Sequence, residues 1–452
     1  MIKRSIFKCN RDVMLLKLSW KNIVSRPLSS GLSVLLISSG IVIILITLLT
    51  FYQINEKFEK NAAEINLVVG AKGSRLQLVL CNVYQVDQPT GNINYASTSL
   101  IRNHPFVKRA VPISLGDNYK TYRIVGTNHD YIDSLYLGEI LEGRKWNQPL
   151  EVVIGSTVAN KLGLRLNDQF VGAHGIGESV HSHDEFSYKV VGVLKRNNSV
   201  LDNLILTSIE SVWVVHGLEE KEKGSFDLKS KEEVESHDHH DHHDHHDHDH
   251  HDHHDDLDPL KILNGLDKKQ LEITSLLVQY GSPRGKFTVP AMANNSDGMM
   301  GAEPSIEIQQ LIQLIQPAIS VLKNMSLLVV VIAAFSMFVA MFNSLKDRKY
   351  EIALMRVAGA GKGQVFISIL FEGLILSLIG YVLGLLISHV GMEIFSIYLS
   401  ESYHYDFTGF LWLEIEWWLL LGAVIIGMIS ALYPAYKAYK IDISKTLSTN
   451  EL

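Results

Sequence analysis

The sequence predicts an α-helical membrane protein with four transmembrane helices and an α+β domain outside the membrane between helices 1 and 2. Two observations carry that prediction. Hydrophobic residues make up 47% of the 452-residue chain, and they gather in one block near the N-terminus and three near the C-terminus, with a long polar region between. Lys and Arg then cluster at alternate ends of those blocks, which is how a multispan protein is oriented.

Each span is justified by length and charge. A crossing helix needs about 20 mainly apolar residues. After a cytoplasmic N-terminus (1–28), the first span is placed at 29–51, "SSGLSVLLISSGIVIILITLLTF", which holds no charge. Its apolar stretch is too long for a signal peptide and no small-residue cleavage site follows it, so it is read as a retained helix. The extracytoplasmic domain is placed at 52–317. The second span lies in 318–345, the third at 365–390 and the fourth at 417–436, where Trp417 and Trp418 fit an interfacial aromatic belt. Lys3, Arg4, Lys8, Arg11, Lys17, Lys21 and Arg26 precede the first span. Lys346, Arg348, Lys349, Arg356 and Lys362 lie in or beside the 346–364 loop, and Lys437, Lys440 and Lys445 follow the fourth span in the 437–452 tail. The 391–416 loop has no Lys or Arg. Both termini and the 346–364 loop are therefore expected in the cytoplasm. Cys9 and Cys81 are expected on opposite sides of the membrane, so no disulfide between them is expected. A net charge of -7 argues against nucleic acid as a partner.

Within the third span, Gly380 and Gly384 form a small-xxx-small pair that allows close helix approach. Glu372 is an ionisable group near its cytoplasmic end and a candidate for coupling or packing. No series of charges crosses the spans, which disfavours an ion or proton path.

The 346–364 loop reads "KDRKYEIALMRVAGAGKGQ". Tyr350 to Val357 is expected to form a short amphipathic helix with Ile352, Leu354, Met355 and Val357 covering one side, ended by Gly359, Ala360 and Gly361. "GAGKG" is not a phosphate loop, since Arg356 stands where glycine is required and Gly363 follows Lys362 in place of Ser or Thr.

"RKYEIALMRVAGAGKGQV", "FEGLILSLIGYVLGLLIS", "ALYPAYKAYKIDISKTLS" and the early "LKLSWKNIVSRPLSSGLSVLLISSGI" resemble FtsX-type permeases. One helix, a large external domain and three helices is similar to the MacB and lipoprotein-releasing permeases. The resemblance implies a MacB-like extracytoplasmic domain and residence in a bacterial inner membrane, with the large domain in the periplasm. It also implies a homodimeric, non-catalytic permease of an ABC system served by a cytoplasmic ATPase dimer, and mechanical transmission without a channel. Arg348, Glu351, Leu354, Arg356 and Gly359 match the coupling segment on which the ATPase docks. No Walker A motif is present, so ATP is expected to enter only through the partner. A periplasmic or lipoprotein partner is compatible with the family.

Outside the membrane, "YQINEKFEKNAAEI" and "EPSIEIQQLIQLIQPAISVLKNM" read as helical stalks, and "YKTYRIVGT", "LEVVIGS" and "YKVVGVL" as strands of an α+β domain, similar to the two subdomains of the MacB periplasmic region. Residues 217–260 are read as a disordered His/Asp-rich insertion. It holds twelve histidines, His237, His239, His240, His242, His243, His245, His246, His248, His250, His251, His253 and His254. Imidazole suits Zn, Cu, Ni and Fe(II), and Asp adds oxygen ligands. A low-complexity run has no preset geometry, so it reads as a metal-collecting or metal-sensing segment, with a hydrophilic spacer as the bland alternative. A sparser cluster, His174, His181, His183 and Asp184, is the candidate for an ordered metal site, with a polar glycine-rich loop as its alternative. His216 and His129 are possible further contributors. "VVGAKGSRLQLVL", "VGAHGIGESVHSHDEFSYKVVGVL" and "LDNLILTSIESVWVVHG" resemble a narrower permease group associated with bacterial zinc responses. Zinc or another transition metal is the expected cofactor or cargo. A membrane metal sensor signalling to a cytoplasmic partner, and a permease that extracts lipids or lipoproteins, stay open as alternatives.

Overall fold

A computed structural model describes residues 17–174, 181–216, 259–267, 269–402 and 407–442. The chain forms two compact units. One comprises the two ends of the sequence, up to Ile54 and from Gln313; the other is Asn55–Ile312.

The first unit is helical. Four helices are long and apolar enough to cross a membrane, within Pro27–Ala62, Pro304–Asp347, Lys362–Ser402 and Ile415–Tyr439. The first two exceed the length a bilayer requires. Packing inside the helical unit depends on small residues. A Cβ added to Gly380 would stand 2.8 Å from Ile37 Cγ2, and one added to Gly384 would stand 2.9 Å from Ile41 Cβ. Gly373 and Gly427 approach each other in the same way, each meeting the other's carbonyl oxygen at 2.6–2.8 Å. Around these contacts Ile37, Ile41, Ala333, Met337, Leu376, Ala423 and Ala431 fill the bundle interior.

Polar groups fasten the outer end of this unit. Gln53 bonds both the N–H and the C=O of Thr408, at 2.9 and 3.0 Å, which ties the first helix to the loop before the fourth. Glu416 is fully buried and accepts the Leu413 N–H at 2.9 Å. His389 reaches Glu416 with Nε2 at 3.4 Å and Gly409 O with Nδ1, and its ring lies parallel to Trp412.

The second unit is α+β. Its strands in chain order are β1 (Leu67–Ala71), β2 (Ile93–Asn94), β3 (Val107–Tyr119), β4 (Tyr122–Thr127), β5 (Ile140–Gly143), β6 (Glu151–Ile154), β7 (Gln169–His174), β8 (His181–Leu194), β9 (Ile205–Ser208), β10 (Glu272–Ile273), β11 (Ser275–Tyr280) and β12 (Met299–Ala302). Nine of them follow the order β12-β1-β11-β3-β4-β9-β6-β8-β5, with β7 pairing β3 and β8; β2 and β10 form a separate pair. β4–β9 and β6–β8 are parallel and the other ladders antiparallel. In place of two separate subdomains, one long strand joins two halves: β3 pairs β11 through Val107–Ile113, then β4 and β7 through Ser114–Tyr119. The two halves have their own apolar cores. One is built on Leu67, Val69, Leu276 and Val289, the other on Ile124, Val152, Phe170 and Ile205. A third core around Val111, Val153 and Leu206 receives Phe58 and Ala62 from one flanking helix and Ile308, Leu311 and Ile312 from the other.

Because the first and third spanning helices touch through glycine, a larger residue there forces them apart. Gly384→Val is expected to lower the stability of the detergent-solubilised protein by about 1–3 kcal/mol. Gly422→Val, at a helical glycine with open space around it, is the comparison and is expected to cost much less. Thermal unfolding followed by tryptophan fluorescence measures both.

Candidate functional site

Two places bring together the candidate functional residues. The first is the segment between the second and third spanning helices. Lys349–Val357 is helical, and its end is dictated by glycine. Gly359 has φ +102, the left-handed region that glycine enters without a Cβ penalty. The Gly359 N–H bonds Arg356 O at 3.1 Å and the Ala360 N–H bonds Met355 O at 3.0 Å, the paired bonds of a Schellman ending.

The apolar residues of this helix do not cover one side, as the sequence had suggested. Ile352 and Ala353 are buried and Met355 is half-buried, while Tyr350, Leu354 and Val357 are 45%, 55% and 63% exposed. At i, i+4 and i+7 these three form a stripe facing away from the protein. A nine-residue helix with hydrophobic residues at both spacings presents two apolar faces, and the sequence alone does not say that both exist.

Arg348 begins this helix and is largely buried. Its guanidinium meets Glu351 at 3.2 Å and Glu372, inside the third spanning helix, at 3.7 Å. Arg356 donates to Ile441 O, after the fourth spanning helix. Arg26 pairs with Asp347 at 2.8 Å. The segment is thereby tied by charge to the neighbourhood of all four spanning helices. Gly380 and Gly384 lie further along the third, at its contact with the first.

The second place lies in the extracytoplasmic unit. β3 carries a β-bulge between Leu115 and Asn118, where it gains one residue over β4. Asp117 sits in the bulge and pairs instead with His174 of β7, which in turn pairs with His181 of β8. Bulges re-aim side chains and recur beside functional sites. The Asp117 side chain is buried; Tyr188 donates its hydroxyl to Oδ2 at 3.3 Å, and His216 Nε2 lies 3.7 Å from Oδ1. Burial, and then the Asp117 charge, push the Tyr188 phenol well above its ordinary pKa, so it stays a donor. His183 and Asp184 continue β8. His129 is engaged elsewhere, against Trp146 O at 3.0 Å. The twelve histidines from His237 to His254 lie outside the described residues. Among the described residues, no group of three His, Cys, Asp or Glu side chains is arranged to hold a metal; the corner contributes two, Asp117 and His216.

Sequence reasoning missed Asp117 altogether. It lies 57 residues before His174 in the chain, and only the β3–β7 ladder brings them together.

Comparison with known families decides what kind of protein this is. Residues 324–443 match the FtsX-like permease C-terminal family, and residues 30–234 match the MacB-like periplasmic core domain. The chain belongs to the FtsX- and MacB-type permeases. It is thus an ABC transporter permease of the bacterial inner membrane, with a large periplasmic domain between its first and second spanning helices. Permeases of this kind are typically non-catalytic and work with a cytoplasmic ABC ATPase. A weaker likeness is to the periplasmic region of MacB from Actinobacillus actinomycetemcomitans, at 8% identity and a TM-score of 0.32, covering 56% of this chain and 95% of that one. The family assignment rests on the two sequence families, not on that likeness.

In an FtsX- and MacB-type permease the Arg348–Glu372 pair joins the cytoplasmic segment to a membrane helix. Removing Arg348 leaves the Glu372 carboxylate buried without its partner, so Arg348→Ala is expected to cost about 3 kcal/mol. Arg348→Ala combined with Glu372→Gln is expected to cost clearly less than the two single changes added together, since the second change removes the stranded charge. Denaturant unfolding of the four proteins in detergent closes this cycle; strict additivity would mean the pair does not interact.

Proposed function

We propose that this permease is the membrane subunit of an ABC system whose separate ATPase docks on the 348–359 segment, and that ATP turnover there moves the periplasmic domain in the handling of a transition metal. The observation that carries the mechanical half is the two-faced helix Lys349–Val357. Its inner face is packed in the membrane unit, its outer stripe of Tyr350, Leu354 and Val357 is exposed among the described residues, and Arg348 links it to Glu372. A displacement of this helix by a cytoplasmic partner is passed directly to the third spanning helix. The filled interior of the bundle supports mechanical transmission over passage of cargo between the spans.

Leu354→Asp with Val357→Asp places charges on the outer stripe without touching the buried side. Co-purification with the ATPase is expected to be lost while the permease itself still folds. Undiminished ATPase binding and stimulation would sink the docking assignment.

The metal half is supported by composition and by the periplasmic corner. The His/Asp run offers many ligands without geometry, whereas the bulge in β3 sets Asp117 beside His216 and opposite His174. Imidazole nitrogen and carboxylate oxygen form a donor set suited to zinc. Zinc titration calorimetry on the full chain is expected to separate the two. Deleting residues 237–254 should lower stoichiometry and leave a tighter component; Asp117→Asn with His216→Ala should remove that component and leave the bulk. Protons compete for imidazole, whose ordinary pKa is about 6.5, so both components should weaken steeply below about pH 5.5. Zinc binding unchanged by both alterations would exclude the metal reading while leaving the ATPase coupling untouched.

A further inference from the structure

A cavity of about 480 Å³ opens in the membrane unit, at its cytoplasmic end. It lies among four elements: the short helix at 17–24, the end of Pro304–Asp347, the helix Lys349–Val357 and the start of Lys362–Ser402. Its walls are mainly apolar and include Leu18, Met341, Leu345, Ile352, Val365 and Ile369. The volume falls in the roughly 300–1,000 Å³ range of small-molecule sites.

The charges around it are unequal. Lys17, Lys21 and Arg348 line the cavity with a single carboxylate, Glu372. Arg348 is already engaged with Glu351 and Glu372. Lys17 and Lys21 are exposed, lie one turn apart on the same helix face and have no ion pair among the described residues. The helix that carries them is fixed in place: Ser19 Oγ donates to Ser368 O at 2.9 Å, and Ile23 is buried in the bundle. On the same helix Trp20 and Val24 are 54% and 58% exposed. Lysines, a tryptophan and an uncovered apolar face on one short helix are the marks of an element that lies at the membrane surface.

We propose that an anionic phospholipid of the cytoplasmic leaflet occupies this cavity, with an acyl chain between Leu18, Leu345 and Ile369 and its phosphate at Lys17 and Lys21. The cavity lies beside the ends of the second and third spanning helices that face the 346–364 loop, with lysines at its rim and apolar side chains along its wall. The charge selects its class. A zwitterionic lipid would bring an ammonium group toward two lysines that have no ion pair among the described residues, whereas an anionic lipid brings negative charge to them. Basic pockets between membrane helices on the cytoplasmic side are suited to such headgroups. Ile352 and Met355, the inward face of the coupling helix, form part of the wall. The lipid therefore backs the same helix whose outer stripe faces the cytoplasm.

The test is native mass spectrometry of the full-length protein, purified in mild detergent and titrated separately with phosphatidylglycerol and phosphatidylethanolamine. Wild type is expected to retain one phosphatidylglycerol in preference to phosphatidylethanolamine. Lys17→Gln with Lys21→Gln is expected to weaken that retention about ten-fold or more. Lys437→Gln with Lys440→Gln, cytoplasmic lysines that do not line the cavity, is expected to leave it unchanged. Ile369→Trp, which fills the cavity without altering charge, is expected to abolish it, and the unfolding temperature of each variant shows whether it is folded. Equal retention of the two lipids, equal loss in both lysine pairs, or photocrosslinking from position 369 to residues 1–16 or 443–452 of the chain in place of lipid would overturn the proposal.

Discussion

The close approach of the first and third spanning helices at Gly380 and Gly384 is the contact on which the membrane unit depends. The chain leaves this unit after its first helix and returns only after Ile312, so loop connectivity does not hold that helix in place. Hydrophobic burial does not hold it either, because lipid tails are as apolar as leucine and helices in a bilayer associate through packing and hydrogen bonds. Absence of side chains at Gly380 and Gly384 lets Ile37 and Ile41 lie directly on the third helix. At the outer end, the two Gln53 bonds to the Thr408 backbone add polar contacts that a lipid cannot replace. A helix separated by so much sequence is thereby made part of one bundle.

The same third helix carries the charge that the cytoplasmic segment uses. Glu372 is nearly buried, and an isolated carboxylate there would be costly. Arg348 offsets part of that cost from outside the helix, alongside the Asn22 side chain and the Arg26 charge, so the position of the 348–359 segment and the tolerability of Glu372 are linked. Arg is suited to this because its planar fork serves two carboxylates, Glu351 and Glu372, at once.

Much of this was legible in the sequence, for different physical reasons. The spans were legible because a bilayer imposes length and polarity on a contiguous stretch, and orientation because Lys and Arg sort across it. The break after Val357 was legible because a positive φ calls for glycine, and Gly359 supplies it. The two faces of the coupling helix were not. Ile352, Leu354, Met355 and Val357 satisfy apolar spacing on either side of a nine-residue helix, and the neighbours that choose between them come from both ends of the chain. Glu416 and His389 were equally hidden, since only the fold stacks the histidine on Trp412 and buries the carboxylate beside it. In the periplasmic unit, strands could be read from β-branched runs, but the order in which ten of them pair could not. The single long strand β3 joining both halves replaces the expected pair of subdomains.

That strand also explains why the most conspicuous histidines and the best-placed ones are different residues. A His/Asp run announces itself by composition, yet composition carries no geometry. Geometry comes from β3, where one inserted residue carries Asp117 off the β4 ladder and onto β7 opposite His174. The bulge costs regular pairing, and the Tyr188 hydroxyl and nearby His216 surround the buried carboxylate it presents. His216 is also where the described chain stops before the insertion, and His237 follows it by 21 residues. In sequence the run thus follows His216, which stands beside the buried Asp117 carboxylate. Under the metal reading proposed above, collection would belong to the run and discrimination to the corner.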